Sequence, residues 1–173
     1  MRLMKALLVL AFGLFAFMVC INNLFYPSLN LQLASEVLMM EAVAETLPTW
    51  RALPRQAVTF AFGLIVFSQA VIGLLCTLAG VQLLRYRRSE ASLYGQWVSC
   101  AGWGLVLAVM LWFVGFIVIG GEWFMSWTLS ASGRGSISSA FRFSSIALFI
   151  LIFIYMPEPQ SNESSSNQVR GLT

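Results

Sequence analysis

Three side chains stand where a long apolar chain would have to do chemistry. Gln69 lies near the middle of an uncharged stretch, Glu122 follows the end of another, and Arg142 opens a third. An amide in hydrocarbon cannot remain unbonded cheaply, so Gln69 is expected to reach another helix. A ligand contact or a place on a proton path is the functional alternative, and an amide does not titrate. Glu122 and Arg142 are expected to meet where two antiparallel helices turn. There they would either form an ion pair that closes the corner or snorkel separately to water. Ser132-Gly133-Arg134-Gly135-Ser136 has the composition of an anion cradle, although a mobile polar loop is the simpler reading.

What is missing narrows the chemistry further. The sequence contains no His and no Asp, and all seven acids are Glu. Without His there is no His-ligated haem or zinc and no Ser-His or Cys-His pair. Cys20, Cys76 and Cys100 each fall inside an apolar run, where a free thiol packs as a small apolar group. No P-loop, dinucleotide fingerprint or CxxC is present. No catalytic residue, metal or cofactor is therefore expected, and the chain is not expected to be an enzyme.

The elements that must position these groups follow from composition. Of the 173 residues, 59% are hydrophobic and only 10% charged, too few charges to coat a water-facing surface. The solvent is expected to be the lipid bilayer. The net charge of +3 is spread beside apolar runs rather than gathered in a stripe, so no nucleic-acid partner is expected. Four apolar stretches have the length of membrane spans, at about residues 6–25, 57–84, 97–120 and 140–156, the last with Arg142 at its entrance. The fold class is thus all-α, a four-helix transmembrane bundle. In the outer loop, residues 26–56, Leu33, Val37, Met40 and Ala44 recur at helical spacing, with Glu41 and Glu45 on another face, which predicts an extramembrane amphipathic helix between spans one and two. Ser130 to Ser139 reads as a flexible link. The four-span domain, 1–157, is followed by a polar tail, 158–173, expected to be disordered.

Orientation follows the cations. With the N-terminus inside, six Lys and Arg lie on the inner side and four on the outer, and the short Arg85-Tyr86-Arg87-Arg88 loop carries most weight. Both termini are then cytoplasmic. Aromatic residues collect at the same boundaries, with Tyr26, Trp50, Trp123 and Trp127 outside and Tyr86, Tyr94, Trp97 and Tyr155 inside.

Several short elements carry a family likeness. Leu111 to Phe116 with Gly120-Gly121-Glu122-Trp123-Phe124, the later Ala140-Phe141-Arg142-Phe143, the Met1 to Ala6 opening, the Asn22-Asn23 pair and Trp50-Arg51-Ala52 together resemble a bacterial family of predicted small integral membrane proteins, domain of unknown function 2165. The resemblance implies four helices in a bacterial inner membrane and no assigned activity. The expected role is a non-catalytic accessory or scaffold subunit, with a membrane-protein partner or a second copy of the chain. A small transporter or channel component for a polar solute or ion is the alternative, with Ser68, Gln69, Thr77 and Ser144 or Ser145 facing a common path.

Overall fold

The computed structural model describes residues 1–40, 49–128 and 131–158, and all regular elements among them are helical. Helix α1 spans Arg2–Phe25. It breaks at Tyr26, and α2 restarts at once over Pro27–Leu38 with the proline at its first position, where a missing N–H costs nothing. Helix α3 spans Arg55–Arg85 and α4 spans Ala91–Val109. The latter continues without interruption as a π-helix over Met110–Trp123. Helix α5 spans Ala131–Tyr155. Short 3-10 turns cover Thr49–Arg51 and Ser126–Thr128.

Four helices are long and apolar enough to cross a membrane: Arg2–Phe25, Arg55–Arg85, Ala91–Trp123 and Gly133–Tyr155. The side chains they turn outward fit that solvent. Phe60, Phe67, Trp103 and Phe149 are 74, 66, 72 and 71% exposed, an apolar surface that water would penalise and lipid does not. A shorter helix, α2, does lie between the first two spans, but it ends at Leu38, before Met40 with its positive φ of 54°, and buries none of its residues completely; Ala44 of the expected pattern lies outside the described residues. Glu41 and Glu45 and the tail from residue 159 onward lie outside the described residues.

Two boundaries differ from the expectation. The third span starts at Ala91 rather than Trp97, so only Tyr86 to Glu90 link it to α3. The Ser- and Gly-rich stretch expected as a flexible link is already helical from Ala131. Its low intrinsic helix propensity is worth only tenths of a kcal/mol up to about 1 kcal/mol per residue, which tertiary packing overrides.

Helix α1 packs antiparallel along α3, α3 on α4, and α4 with its π continuation on α5; α5 closes the ring against α1, where the packing is thinnest. The α1–α3 seam is set by small residues. A Cβ on Gly80 would stand 2.7 Å from the Leu10 backbone, and one on Gly13 would stand 2.5 Å from Thr77. Gly73 receives the Phe17 ring in the same register. On α4, Gly104 leaves room for the Cys76 sulfur.

The ends of the described bundle meet on one face, termed here the N-terminal face. Arg2 bonds Glu158 at 2.9 Å, and its Nη1 donates to the Ser89 carbonyl at 2.8 Å. Lys5, only 3% exposed, donates from Nζ to the Ile154 and Met156 carbonyls at 3.0 and 2.6 Å. Those are last-turn carbonyls of α5, which no longer have helical partners and which attract a cation. The opposite face is termed the far face.

Candidate functional site

Gln69 is 2% exposed, and its Oε1 accepts a 2.7 Å hydrogen bond from Asn23 Nδ2. The bond joins α3 to α1 two residues before α1 ends. Gln69 lies sixteen residues from the cationic end of α3 at Arg85, or about 24 Å along the axis at 1.5 Å per residue. It therefore lies nearer the far side of an apolar layer about 30 Å thick than the middle. The sequence misplaces it because α3, at 31 residues, is longer than the layer needs.

Beside this amide pair the far half of the bundle opens into a cavity of about 620 Å³. Val19, Asn22 and Asn23 of α1 line one side, with Phe62, Ile65 and Gln69 of α3 beside them. Helix α2 covers it with Asn30, Leu33, Ala34, Val37 and Leu38. The π-helix contributes Trp112, Gly115, Phe116 and Gly120, and α5 contributes the run from Gly135 to Ala140 with Arg142 and Phe143. Its volume lies in the range of small-molecule sites, and its make-up of apolar walls with few polar groups is typical of them.

The floor is aromatic. Phe15, Trp112 and Phe143 pack edge to face or tilted at centroid distances of 4.8 to 6.0 Å, and Phe12 joins them below Trp112. Trp112 is 2% exposed. It lies in the first turn of the π-helix. Bonds there close five residues back, as in Phe124 N–H to the Ile119 carbonyl at 3.0 Å, so the faces that successive side chains present differ from those of an α-helix. Such runs are rare and cluster at functional sites. Apolar periodicity does not distinguish this stretch from an α-helix; the five-residue step from Gly115 to Gly120 is the one local hint.

Glu122 and Arg142 are not brought together. Glu122 is exposed and has no ion pair among the described residues, where the salt bridge is Arg2–Glu158. Arg142 turns back on its own helix and donates to Ser139 Oγ at 3.0 Å, at the rim of the cavity. The cation that meets the Gly-Gly-Glu-Trp-Phe element is Arg51. Its Nη1 donates to the Trp123 carbonyl at 3.0 Å, and its guanidinium lies 5.1 and 4.8 Å from the Trp50 and Trp123 rings. Two sequence elements seventy residues apart thus form one far-face clamp. Below it, Ala52 and Leu53 pack on a small cluster of Met40 and Phe124.

The anion-cradle stretch, Ser132 to Ser136, is part of α5 rather than a loop. Ser68, Thr77 and Ser144 are not among the residues that line the cavity beside Gln69. Ser68 and Ser144 bond to carbonyls of their own helices, Leu64 and Phe141, at 2.8 and 3.0 Å. Thr77 faces Gly13 in the α1–α3 seam. Among the described residues no group of three or more His, Cys, Asp or Glu could hold a metal ion.

No curated protein and no solved structure matches the chain. The family model described as predicted small integral membrane protein (DUF2165) matches residues 1–157, and the chain belongs to that family.

Proposed function

We propose that this DUF2165 protein is a non-catalytic accessory or scaffold subunit of a membrane complex in a bacterial inner membrane, with both termini in the cytoplasm. The observation that carries the reading is the aromatic cluster of Phe12, Phe15, Trp112 and Phe143, which fills the bundle between its two ends. Toward the N-terminal face the helices then close to backbone contact at Gly13 and Gly80. The filled aromatic floor and the close α1–α3 seam favour a scaffold role. Among the described residues, Arg142 is the one ionisable side chain along the cavity wall. The positions of Arg2, Lys5, Arg85, Arg87 and Arg88 at the N-terminal face favour the cytoplasm for that side.

The test is extraction from native membranes in a mild detergent with cross-linking. The expected result is co-migration with a larger membrane partner. A monodisperse 19.2 kDa chain without a partner would overturn the reading. The transporter alternative rests on the far-half cavity. Solute flux into proteoliposomes above that of empty vesicles, lost in Gln69→Leu, would replace the scaffold reading with it.

A further inference from the structure

We infer that the far-half cavity receives the carbonyl end of an uncharged amphiphile from the bilayer, with the Gln69 side-chain N–H groups as its donor. Such binding is independent of the accessory role. Gln69 accepts through Oε1 from Asn23 and makes no other hydrogen bond among the described residues. Its Nε2, carrying two N–H groups, is therefore unpartnered. That nitrogen is also not one of the fully enclosed orphaned atoms, which are Thr77 Oγ1 and Gln82 Oε1. A side chain that is 98% buried yet keeps its nitrogen accessible must present it to the cavity it lines.

Three features then select the occupant. The buried donor calls for an oxygen acceptor, because an amide N–H left without one in an apolar place is costly. The walls include Val19, Ile65, Trp112 and Phe143, and Arg142, the cation on the lining among the described residues, bonds Ser139 rather than the amide pair. A carboxylate or phosphate held there would be an uncompensated charge at membrane depth, so the acceptor is neutral. The apolar walls and aromatic floor suit a hydrocarbon or ring body, and the α1–α5 side is the most thinly packed seam of the ring. A ring carbonyl, as in a quinone, and an ester carbonyl, as in a monoacylglycerol, share this chemistry.

The full chain in lipid nanodiscs is titrated with decylubiquinone, with monoolein and with decylbenzene as the carbonyl-free control. The readout is the shift of the unfolding midpoint, which rises with any ligand that binds the folded state. At least one carbonyl probe is expected to give a saturable shift, and which one does so identifies the source of the carbonyl. Decylbenzene is expected to give none. Gln69→Leu should raise the half-maximal concentration at least tenfold, while Arg142→Gln should change it less than threefold. Ala34→Trp, on the half-buried cover, fills the space with the amides intact and should abolish the shift. It keeps the test decisive should Gln69→Leu fold poorly. An equal shift with decylbenzene, no shift with either carbonyl probe, a shift that survives Ala34→Trp, or a tenfold loss on Arg142→Gln but not on Gln69→Leu would each overturn the inference.

Discussion

The half of the bundle toward the N-terminal face and the half toward the far face solve different problems with the same four helices. Toward the N-terminal face, backbones meet at Gly13 and Gly80, and Lys5 closes the end of α5. Toward the far face, the third span widens into a π-helix, the helices part, and a cavity of about 620 Å³ remains. Both residues other than glycine with positive φ among the described residues, Met40 and Met125 at 54°, are also there, in a region that L residues seldom occupy and that costs of order 1 kcal/mol or more. The difference teaches that this small chain concentrates its packing in one half and leaves room and backbone strain in the other, while the enclosed polar atoms without a partner among the described residues, Thr77 Oγ1 and Gln82 Oε1, lie in the packed half.

The largest effect is expected where the packed half leaves no room. Gly80→Leu adds a branched side chain where even a Cβ would lie 2.7 Å from the Leu10 backbone. Overpacking of this kind costs about 1–3 kcal/mol and sometimes more. The expected result in equilibrium unfolding is a loss of about 3 kcal/mol, or no folded protein. Gly95→Ala serves as the control, because its Cβ meets nothing within 4 Å; it should leave stability unchanged or raise it by up to about 1 kcal/mol. Equal losses at the two positions would remove the packed half from the comparison.

The second effect concerns Lys5. Lys5→Met keeps the apolar stem and deletes two bonds to carbonyls of α5. Hydrogen bonds from a charged donor contribute about 1.5–3 kcal/mol, so a loss of about 2 kcal/mol is expected in the same assay. A neutral outcome would mean that water serves those carbonyls as well as the ammonium does.

Next in size is the amide pair that divides the halves. A double-mutant cycle of Asn23→Leu and Gln69→Leu should give a coupling of about 0.6–1.7 kcal/mol, the range found for interhelical hydrogen bonds in membranes. Zero coupling would mean that the 2.7 Å bond does not hold α1 to α3.

The four span-length helices and the presence of a shorter helix between the first two were legible in the sequence because each depends on composition or a regular period, whereas the shorter helix's bounds were not, since it ends at Leu38 before Met40. Cation placement was legible only in part. The Arg85 to Arg88 cluster marks a loop by itself, but Lys5 at the end of α5 and Arg51 between two tryptophans are tertiary facts. Glu122 and Arg142 looked paired because chain order makes their helix ends neighbours. The π-helix then turns Glu122 outward, and Arg142 bonds Ser139. Gln69 was legible as a polar outlier, but its partner and its depth were not. Both depend on α1 ending two residues after Asn23 while α3 runs on by fourteen residues beyond Gln69.

The smallest effects separate the two readings of the far face. Arg51→Lys keeps the charge but loses the planar guanidinium that lies over Trp50 and Trp123 and reaches the Trp123 carbonyl. A cation over aromatic faces at a partly exposed site contributes about 0.5–1 kcal/mol, and Lys does not reproduce the planar contact. The expected loss is therefore about 0.5–1 kcal/mol, together with a change in tryptophan fluorescence. Glu122→Gln removes a charge from an exposed side chain that pairs with nothing among the described residues, and such changes stay within about 0.5 kcal/mol. If the order were reversed, with Glu122→Gln the costlier substitution and Arg142→Gln matching it, an ion pair between those two residues would have to form. The far face would then be held by charge, as the N-terminal face is, and the contrast between the halves would shrink to packing alone.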